Sequence, residues 1–121
     1  MRFQKILVVD DSPTELHMLV DLLKRHDVPE IVTATTGIDA VAKSLSEKPD
    51  LILMDVVMPE MNGFQATRKI KKNPETAGIP VIIISSKKEE TDKVWGKRQG
   101  ADEYLTKPVK EEDLIKVLEA L

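Results

Sequence analysis

The stretch Ile6-Leu7-Val8-Val9-Asp10-Asp11 decides the fold, because an uninterrupted apolar run ends there at two carboxylates. Two further runs have the same form, Leu51-Ile52-Leu53-Met54-Asp55 and Val81-Ile82-Ile83-Ile84-Ser85. A weaker run, Tyr104-Leu105-Thr106, ends at Lys107-Pro108. Runs that are apolar throughout, rather than alternating, are typical of strands buried on both faces of a parallel sheet.

Strand-like runs alternate along the chain with segments of helical periodicity. Strands are predicted at about 5–10, 30–34, 50–55, 80–85 and 102–106, and helices at about 13–26, 37–47, 63–72, 89–99 and 110–120. Five such pairs predict an α/β fold, a doubly wound parallel five-stranded sheet with right-handed crossovers and helices on both faces. If the strand order is 2-1-3-4-5, the polar residues that end the runs lie at one sheet edge, where such folds bind ligands.

Local signals support the predicted helices. Ser12-Pro13-Thr14-Glu15 has the form of a capping box with proline in the first turn. Asn62-Gly63 is a turn signal that leads into the third helix. In the second helix, Ile38, Val41, Ala42 and Leu45 are predicted to form the buried stripe.

Composition limits the class of protein. The 121 residues suit one domain, expected over 1–121, and 41% apolar with 32% charged residues is typical of a globular chain. With 18 basic and 21 acidic residues there is no basic excess, so a nucleic-acid partner is not expected. The absence of cysteine excludes thiol catalysis and cysteine-ligated zinc. No signal peptide or membrane insertion is expected, so the predicted location is cytoplasmic.

Asp10, Asp11 and Asp55 are candidate ligands of a metal ion. Asp10 and Asp11 could belong to a helix start, but Ser12 already supplies the cap, and Asp55 alone could be an ordinary turn residue. Gathered at one edge, such charges repel by roughly 4 kcal/mol per pair near 4 Å. Magnesium prefers oxygen ligands of this kind and would offset that repulsion. Aspartate is also a possible nucleophile that forms an acyl phosphate.

Other polar residues have ordinary and functional interpretations side by side. Lys107 could be a surface lysine or could neutralise phosphoryl oxygens, and Ser85 could bond its own loop or a phosphoryl oxygen. A cis bond before Pro108 could aim Lys107 inward. Trp95 fits core packing and partner docking about equally. The two isolated histidines, His17 and His26, are predicted to be solvent-exposed and not metal ligands.

Taken together, these motifs resemble the signature of two-component receiver domains over the whole chain. The resemblance rests on Asp10-Asp11, Asp55-Val56-Val57-Met58-Pro59 with Asn62-Gly63, Ser85, and Tyr104-Leu105-Thr106-Lys107-Pro108. It implies a CheY-like, flavodoxin-like (βα)5 fold without an effector domain. A narrower likeness, carried by residues 93–101, is to small stand-alone regulators of type IV pilus twitching motility.

The resemblance also implies a role for each site residue. Asp55 would accept the phosphoryl group, and Asp10, Asp11, Asp55 and the backbone carbonyl of Val57 would bind Mg²⁺. Lys107 would contact the phosphoryl group through its ammonium, and the Lys107–Pro108 bond would be cis. Ser85 and Tyr104 would act as a coupled switch, in which Tyr104 swings inward. Val57 stands where the family often has a polar residue.

The function implied is that of a response regulator that signals by protein docking. The phosphoryl donor would be a sensor histidine kinase or its phosphotransfer domain. The output partner would be a motor or other downstream protein, which docks on a face that includes Trp95 and Tyr104. Such a chain is not an enzyme, since it catalyses only its own phosphorylation and dephosphorylation.

Three alternatives compete with this interpretation. A magnesium-dependent phosphatase would need a capping insertion and an Asp-x-Asp motif at Asp55, and the sequence has neither. A flavin-binding electron carrier is disfavoured because the chain has only four aromatic residues and no phosphate loop after the first strand. A pseudo-receiver that binds proteins without phosphorylation is disfavoured by the complete set of site residues, but remains open.

Overall fold

The computed structural model describes residues 2–121; residue 1, the first of the predicted domain, lies outside them. Within the described residues, five strands form one parallel sheet in the order β2-β1-β3-β4-β5, so the predicted order is confirmed. The strands are β1 Lys5–Val9, β2 Glu30–Ala34, β3 Leu51–Asp55, β4 Val81–Ser85 and β5 Glu103–Thr106. The helices are α1 Pro13–Arg25, α2 Gly37–Ser46, α3 Gly63–Lys72, α4 Glu90–Arg98 and α5 Glu111–Ala120.

The sheet is covered on both faces, which explains why its central strands are apolar throughout. Alternate residues of β1 point to opposite faces, so Ile6 and Val8 join one core cluster and Leu7 and Val9 the other. Buried leucines of α1 and α5 complete the first cluster, and Ala40, Ala66 and Ile70 of α2 and α3 complete the second. Strands β3 and β4 are buried along their whole length, whereas the edge strand β5 is only partly buried.

The predicted capping box at the start of α1 is only half formed. The Ser12 hydroxyl accepts a hydrogen bond from the Glu15 N–H, at 3.4 Å, as the pattern predicts. The Ser12 N–H, however, donates to Asp10 Oδ1 at 2.9 Å, and the Glu15 carboxylate turns toward Lys107. The reciprocal half of the motif is therefore replaced by contacts with the polar sheet edge.

The buried face of α2 differs from the predicted stripe. Gly37, Ala40 and Ser44 are buried, whereas Ile38 is 56% exposed. The reason is the close approach of α2 to the loop before α3: a Cβ at Gly37 would lie 2.4 Å from the Met61 carbonyl oxygen. Small residues allow this approach, so the helix turns them inward and leaves Ile38 outside.

No helix among residues 2–121 has both the length and the apolar character that a membrane span requires.

Candidate functional site

The carboxyl ends of β1 and β3 bring the predicted aspartates together. These strands are neighbours, with Val9 paired to Met54, so Asp10 and Asp55 follow at the same edge of the sheet. Asp10 is 1% exposed and Asp55 is 4% exposed, whereas Asp11 is exposed to solvent. Each of the three offers a carboxylate oxygen, and these oxygens all lie within 4.8 Å of one another.

Lys107 lies among the carboxylates. Its backbone N–H donates to the Ser85 carbonyl at 2.9 Å, which continues the pairing of β4 with β5 and places residue 107 at the polar edge. Its ammonium contacts Asp55 Oδ1 at 3.0 Å, Asp10 Oδ2 at 3.0 Å and Glu15 Oε2 at 2.9 Å. The Lys107–Pro108 peptide bond is cis, as predicted.

Burial and ion pairing set the protonation of this site. Burial raises the pKa of Asp55 from 3.8 to about 6, the hydrogen bond from Lys107 works against that rise, and the charge of Asp10 adds to it. Burial alone would lower the pKa of Lys107, but its hydrogen bonds to Glu15, Asp55 and Asp10 outweigh this effect and raise the pKa above 10.5. At neutral pH Asp55 is therefore mostly ionised and lies beside a protonated Lys107.

The start of α3 fixes the backbone around Asp55. Asn62 caps the helix in a full capping box with Gln65, because each side chain bonds the other residue's backbone N–H. The Gly63 N–H donates to the Val56 carbonyl at 2.9 Å. A Cβ at Gly63 would lie 1.9 Å from the Asp55 carbonyl oxygen, so only glycine permits this approach. The helix start thus supports the loop that carries Asp55.

Ser85 and Tyr104 are linked through the peptide groups of the loop after β4. The Ser85 hydroxyl is buried and accepts a hydrogen bond from the Lys87 N–H at 3.1 Å. The Tyr104 hydroxyl donates to the Lys87 carbonyl at 2.5 Å. Tyr104 packs against the core cluster that includes Ile83, and burial raises the pKa of Tyr104. The two predicted switch residues thus both bond to one residue, Lys87.

Residues outside the carboxylate cluster occupy varied positions. Trp95 is 48% exposed on α4 beside Val94, which is 47% exposed, so core packing does not account for it. Val57, predicted to offer its carbonyl, has a 55% exposed side chain. His17 is exposed as predicted, whereas His26 is only partly exposed, with a side chain 31% accessible that lies 2.9 Å from Glu111.

The sequence interpretation missed one member of this site, Glu15. Its position three residues after Ser12 matched a helix-capping pattern, and that pattern accounted for its carboxylate without any distant partner. The available signal was its position as the acidic residue of the first turn of α1, just after Asp10-Asp11. Its side chain therefore emerges at the same edge of the sheet as the three aspartates.

Comparison with known proteins identifies the family to which this chain belongs. Residues 6–119 match the response regulator receiver domain family, and the chain belongs to that family. Its similarity to protein PilH of Pseudomonas aeruginosa is 56% identity over 117 residues, which cover 97% of this chain and 96% of that protein. The expected likeness to a twitching-motility regulator is thereby confirmed.

Solved structures agree on the fold. The chain superposes on the Vibrio cholerae chemotaxis protein CheY4 with a TM-score of 0.89 and 31% identity, covering 98% of both chains. It superposes on the receiver domain of the Pseudomonas aeruginosa sensor histidine kinase PA1611 with a TM-score of 0.87 and 28% identity, covering 98% of this chain and 96% of that one. The PA1611 structure holds a magnesium ion coordinated in its active-site cleft.

Proposed function

We propose that this chain accepts a phosphoryl group on Asp55 from a partner histidine kinase or its phosphotransfer domain, in a Mg²⁺-dependent step. The observation that carries the proposal is the placement of one nearly buried carboxylate, Asp55, against an ammonium and beside two further carboxylates. The family assignment supports it, because phosphorylation on aspartate is typical of receiver domains.

The donor set fits magnesium. Three carboxylate oxygens within 4.8 Å of one another form a hard, anionic oxygen site, which is the ligand chemistry that Mg²⁺ prefers. Asp10, Asp11 and Asp55 would hold the ion, with the Val57 carbonyl as a further ligand. When bound, the ion supplies positive charge that stabilises the equatorial oxygens of the transferring phosphoryl group.

The chemical step uses Asp55 as the nucleophile. One carboxylate oxygen forms a bond to the phosphorus of a phosphohistidine while the phosphorus–nitrogen bond breaks, and the leaving imidazole retains the electron pair of that bond and takes up a proton. Lys107 already lies 3.0 Å from Asp55 Oδ1, where its charge can offset that of the incoming group. Catalysis therefore consists of positioning and electrostatic stabilisation, and the chain acts on itself rather than as an enzyme for other substrates.

A mass measurement tests this step. Purified protein is incubated with acetyl phosphate and Mg²⁺, and the intact mass is expected to increase by one phosphoryl group. EDTA and the Asp55→Ala substitution are each expected to abolish the gain. No adduct on the wild-type chain, from acetyl phosphate or from candidate kinases, would favour the alternative of a pseudo-receiver that docks without phosphorylation.

The signal would leave the site through Ser85 and Tyr104. A phosphoryl oxygen offers the Ser85 hydroxyl a new partner, and any shift of Ser85 acts on Lys87, which also accepts the Tyr104 hydrogen bond. The surface beside Tyr104 includes the exposed Val94 and Trp95 on α4. This face is the proposed docking surface for a downstream protein, in keeping with the enrichment of tryptophan at binding hot spots.

Control of type IV pilus motility is the proposed pathway, and it rests on the 56% identity to PilH over nearly the whole chain. The chain is expressed in a Pseudomonas aeruginosa strain that lacks PilH, and twitching zones are measured. Restored twitching that is lost in the Asp55→Ala variant is the expected result. No restoration, in a strain where PilH itself restores twitching, would contradict this pathway.

A further inference from the structure

The Glu15 carboxylate forms an ion pair with Lys107 that the helix-capping pattern in the sequence does not predict. Its backbone N–H takes part in the cap of α1, but its carboxylate contacts the ammonium of Lys107, 92 residues away, at 2.9 Å. In a complete capping box the Glu15 carboxylate would accept a hydrogen bond from the Ser12 N–H, but this N–H already donates to Asp10 Oδ1. The Glu15 carboxylate is thus committed to the site and not to the helix.

The Lys107 ammonium has no donor to spare in this arrangement. A lysine ammonium carries three N–H donors, and here it contacts three carboxylates at 3.0, 2.9 and 3.0 Å. When Asp55 carries a phosphoryl group it is no longer a carboxylate, and its contact with Lys107 can pass to a phosphoryl oxygen. The other two N–H donors stay with Asp10 and Glu15, so a second hydrogen bond from Lys107 to the phosphoryl group requires one of these two carboxylates to give up its own.

Of these two carboxylates, Glu15 is the easier to displace. The side chain of Asp10 is 1% exposed, so it would lose its partner without regaining water. The Glu15 side chain is 43% exposed and can be hydrated where it stands. We propose that Glu15 is a positioning residue that holds Lys107 in the unphosphorylated state and competes with the phosphoryl group for it.

This inference rests on the proposed function and adds a sign to it, namely whether the charge of Glu15 strengthens or weakens phosphoryl binding at Asp55. If Glu15 competes for Lys107, removing its charge strengthens binding of a phosphoryl group at Asp55. Loss of an ion pair with a partly exposed partner is expected to change the binding constant of the phosphoryl group about two- to fivefold. If Glu15 instead holds Lys107 in the orientation that the phosphoryl group needs, the same substitution weakens binding, so the sign separates the two roles.

The test uses beryllofluoride, an inorganic mimic of a bound phosphoryl group, titrated calorimetrically into the full chain with Mg²⁺. Glu15→Gln is expected to bind it about two- to fivefold more tightly than wild type. Asp21→Asn, which removes a carboxylate from the same helix outside the site, is the matched control and is expected to leave the affinity unchanged. Equal or weaker binding by Glu15→Gln, or an equal gain in Asp21→Asn, would overturn the proposal.

A second measurement follows the carboxylate itself. In wild-type protein labelled with ¹³C at glutamate side chains, the Glu15 carboxyl resonance is expected to move toward the position of a hydrated glutamate when beryllofluoride binds. A Glu15 resonance that does not move while the ligand binds would overturn the inference alone. A wild-type chain that takes neither beryllofluoride nor a phosphoryl group would overturn the proposed function, and with it this inference.

Discussion

Two lysines at opposite edges of the sheet are buried to a similar degree but have different surroundings. Lys107, at the carboxyl ends of the strands, is 14% exposed and contacts three carboxylates. Lys71, at the amino ends of β4 and β5, is 17% exposed and contacts the carbonyls of Ile79 and Ala77 and one carboxylate, Asp102. Lys71 and Lys107 are therefore similarly buried but differ in the number of charged groups around them.

The charges around the two lysines distinguish the structural cluster at Lys71 from the candidate site at Lys107. Around Lys71 one cation meets one anion and uncharged carbonyl groups, and Asp102 also accepts the Val81 N–H at 2.8 Å, so the cluster is balanced and fixed. Around Lys107 one cation meets three anions, and the excess negative charge leaves a demand for further positive charge. The unbalanced charge, more than burial, distinguishes the candidate site from the cluster around Lys71.

The largest expected effect tests this imbalance at Asp55. Without metal, Asp55→Asn is expected to stabilise the chain at pH 7, because a pKa of about 6 against the ordinary 3.8 corresponds to about 3 kcal/mol. Because folding raises the pKa of Asp55, this group stabilises the folded state below pH 3.8, and that contribution is lost as the pH rises through about 6. Above that pH the buried, ionised carboxylate destabilises the chain relative to asparagine. The gain should therefore vanish near pH 4, as measured by urea unfolding in EDTA. A stability difference that does not change between pH 4 and 7 would contradict it.

The next effect concerns the balanced cluster. Lys71→Met is expected to cost about 2 kcal/mol, because the part-buried Ile79 carbonyl and the Asp102 carboxylate both lose the Lys71 ammonium as a donor. Urea unfolding measures the loss, and Lys72→Met, an exposed neighbour on the same helix, serves as the control. Mg²⁺ is expected to restore none of the lost stability. A loss no larger than that of the control would remove the contrast between the two edges.

A smaller effect is expected at Lys107. Lys107→Met should cost only about 1 kcal/mol in EDTA, because removing the ammonium also removes the cost of burying it, and this offsets part of the lost ion pairing. Millimolar Mg²⁺ should recover this loss, since the ion supplies the missing charge to the same oxygens. Thermal unfolding with and without Mg²⁺ measures the recovery. If Mg²⁺ stabilised the Lys71→Met chain equally, the two edges would not differ as described.

The smallest effect sets the baseline for an exposed ion pair. Glu111 contacts Arg25 at 2.7 Å and His26 at 2.9 Å, and these contacts hold the pKa of Glu111 below its usual value. Because salt and water screen such contacts, Glu111→Gln is expected to leave the unfolding midpoint unchanged at physiological salt. A clear drop in the midpoint would mean that exposed charges account for part of the contrast between the two lysines.

Much of the fold could be predicted from the sequence because its signals are local. Each apolar strand ends at a polar residue, and every predicted strand and helix lies within one or two residues of its observed position. The gathering of Asp10, Asp55 and Lys107 followed from strand order, since parallel strands present their carboxyl ends at one edge. The position of Asp11 beside them followed from its place next to Asp10.

The remaining features depend on partners far away in the sequence. Glu15 matched a capping pattern, and only the fold shows that its carboxylate bonds a lysine 92 residues away. Lys71 carries no local sign of its cluster, because its partners lie in the loop after α3 and before β5. The buried face of α2 was misplaced because hydrophobicity favoured Ile38, whereas close packing required Gly37 and Ala40.

The partly exposed indole of Trp95 gives this chain a built-in optical reporter. It is the only tryptophan among the 121 residues, and it stands on α4, on the face proposed for docking. Emission from this one ring therefore reads the polarity of that face directly, without any attached dye. A bound partner that excludes water from α4 should shift the emission to shorter wavelength, so titrations can follow docking in the unlabelled protein.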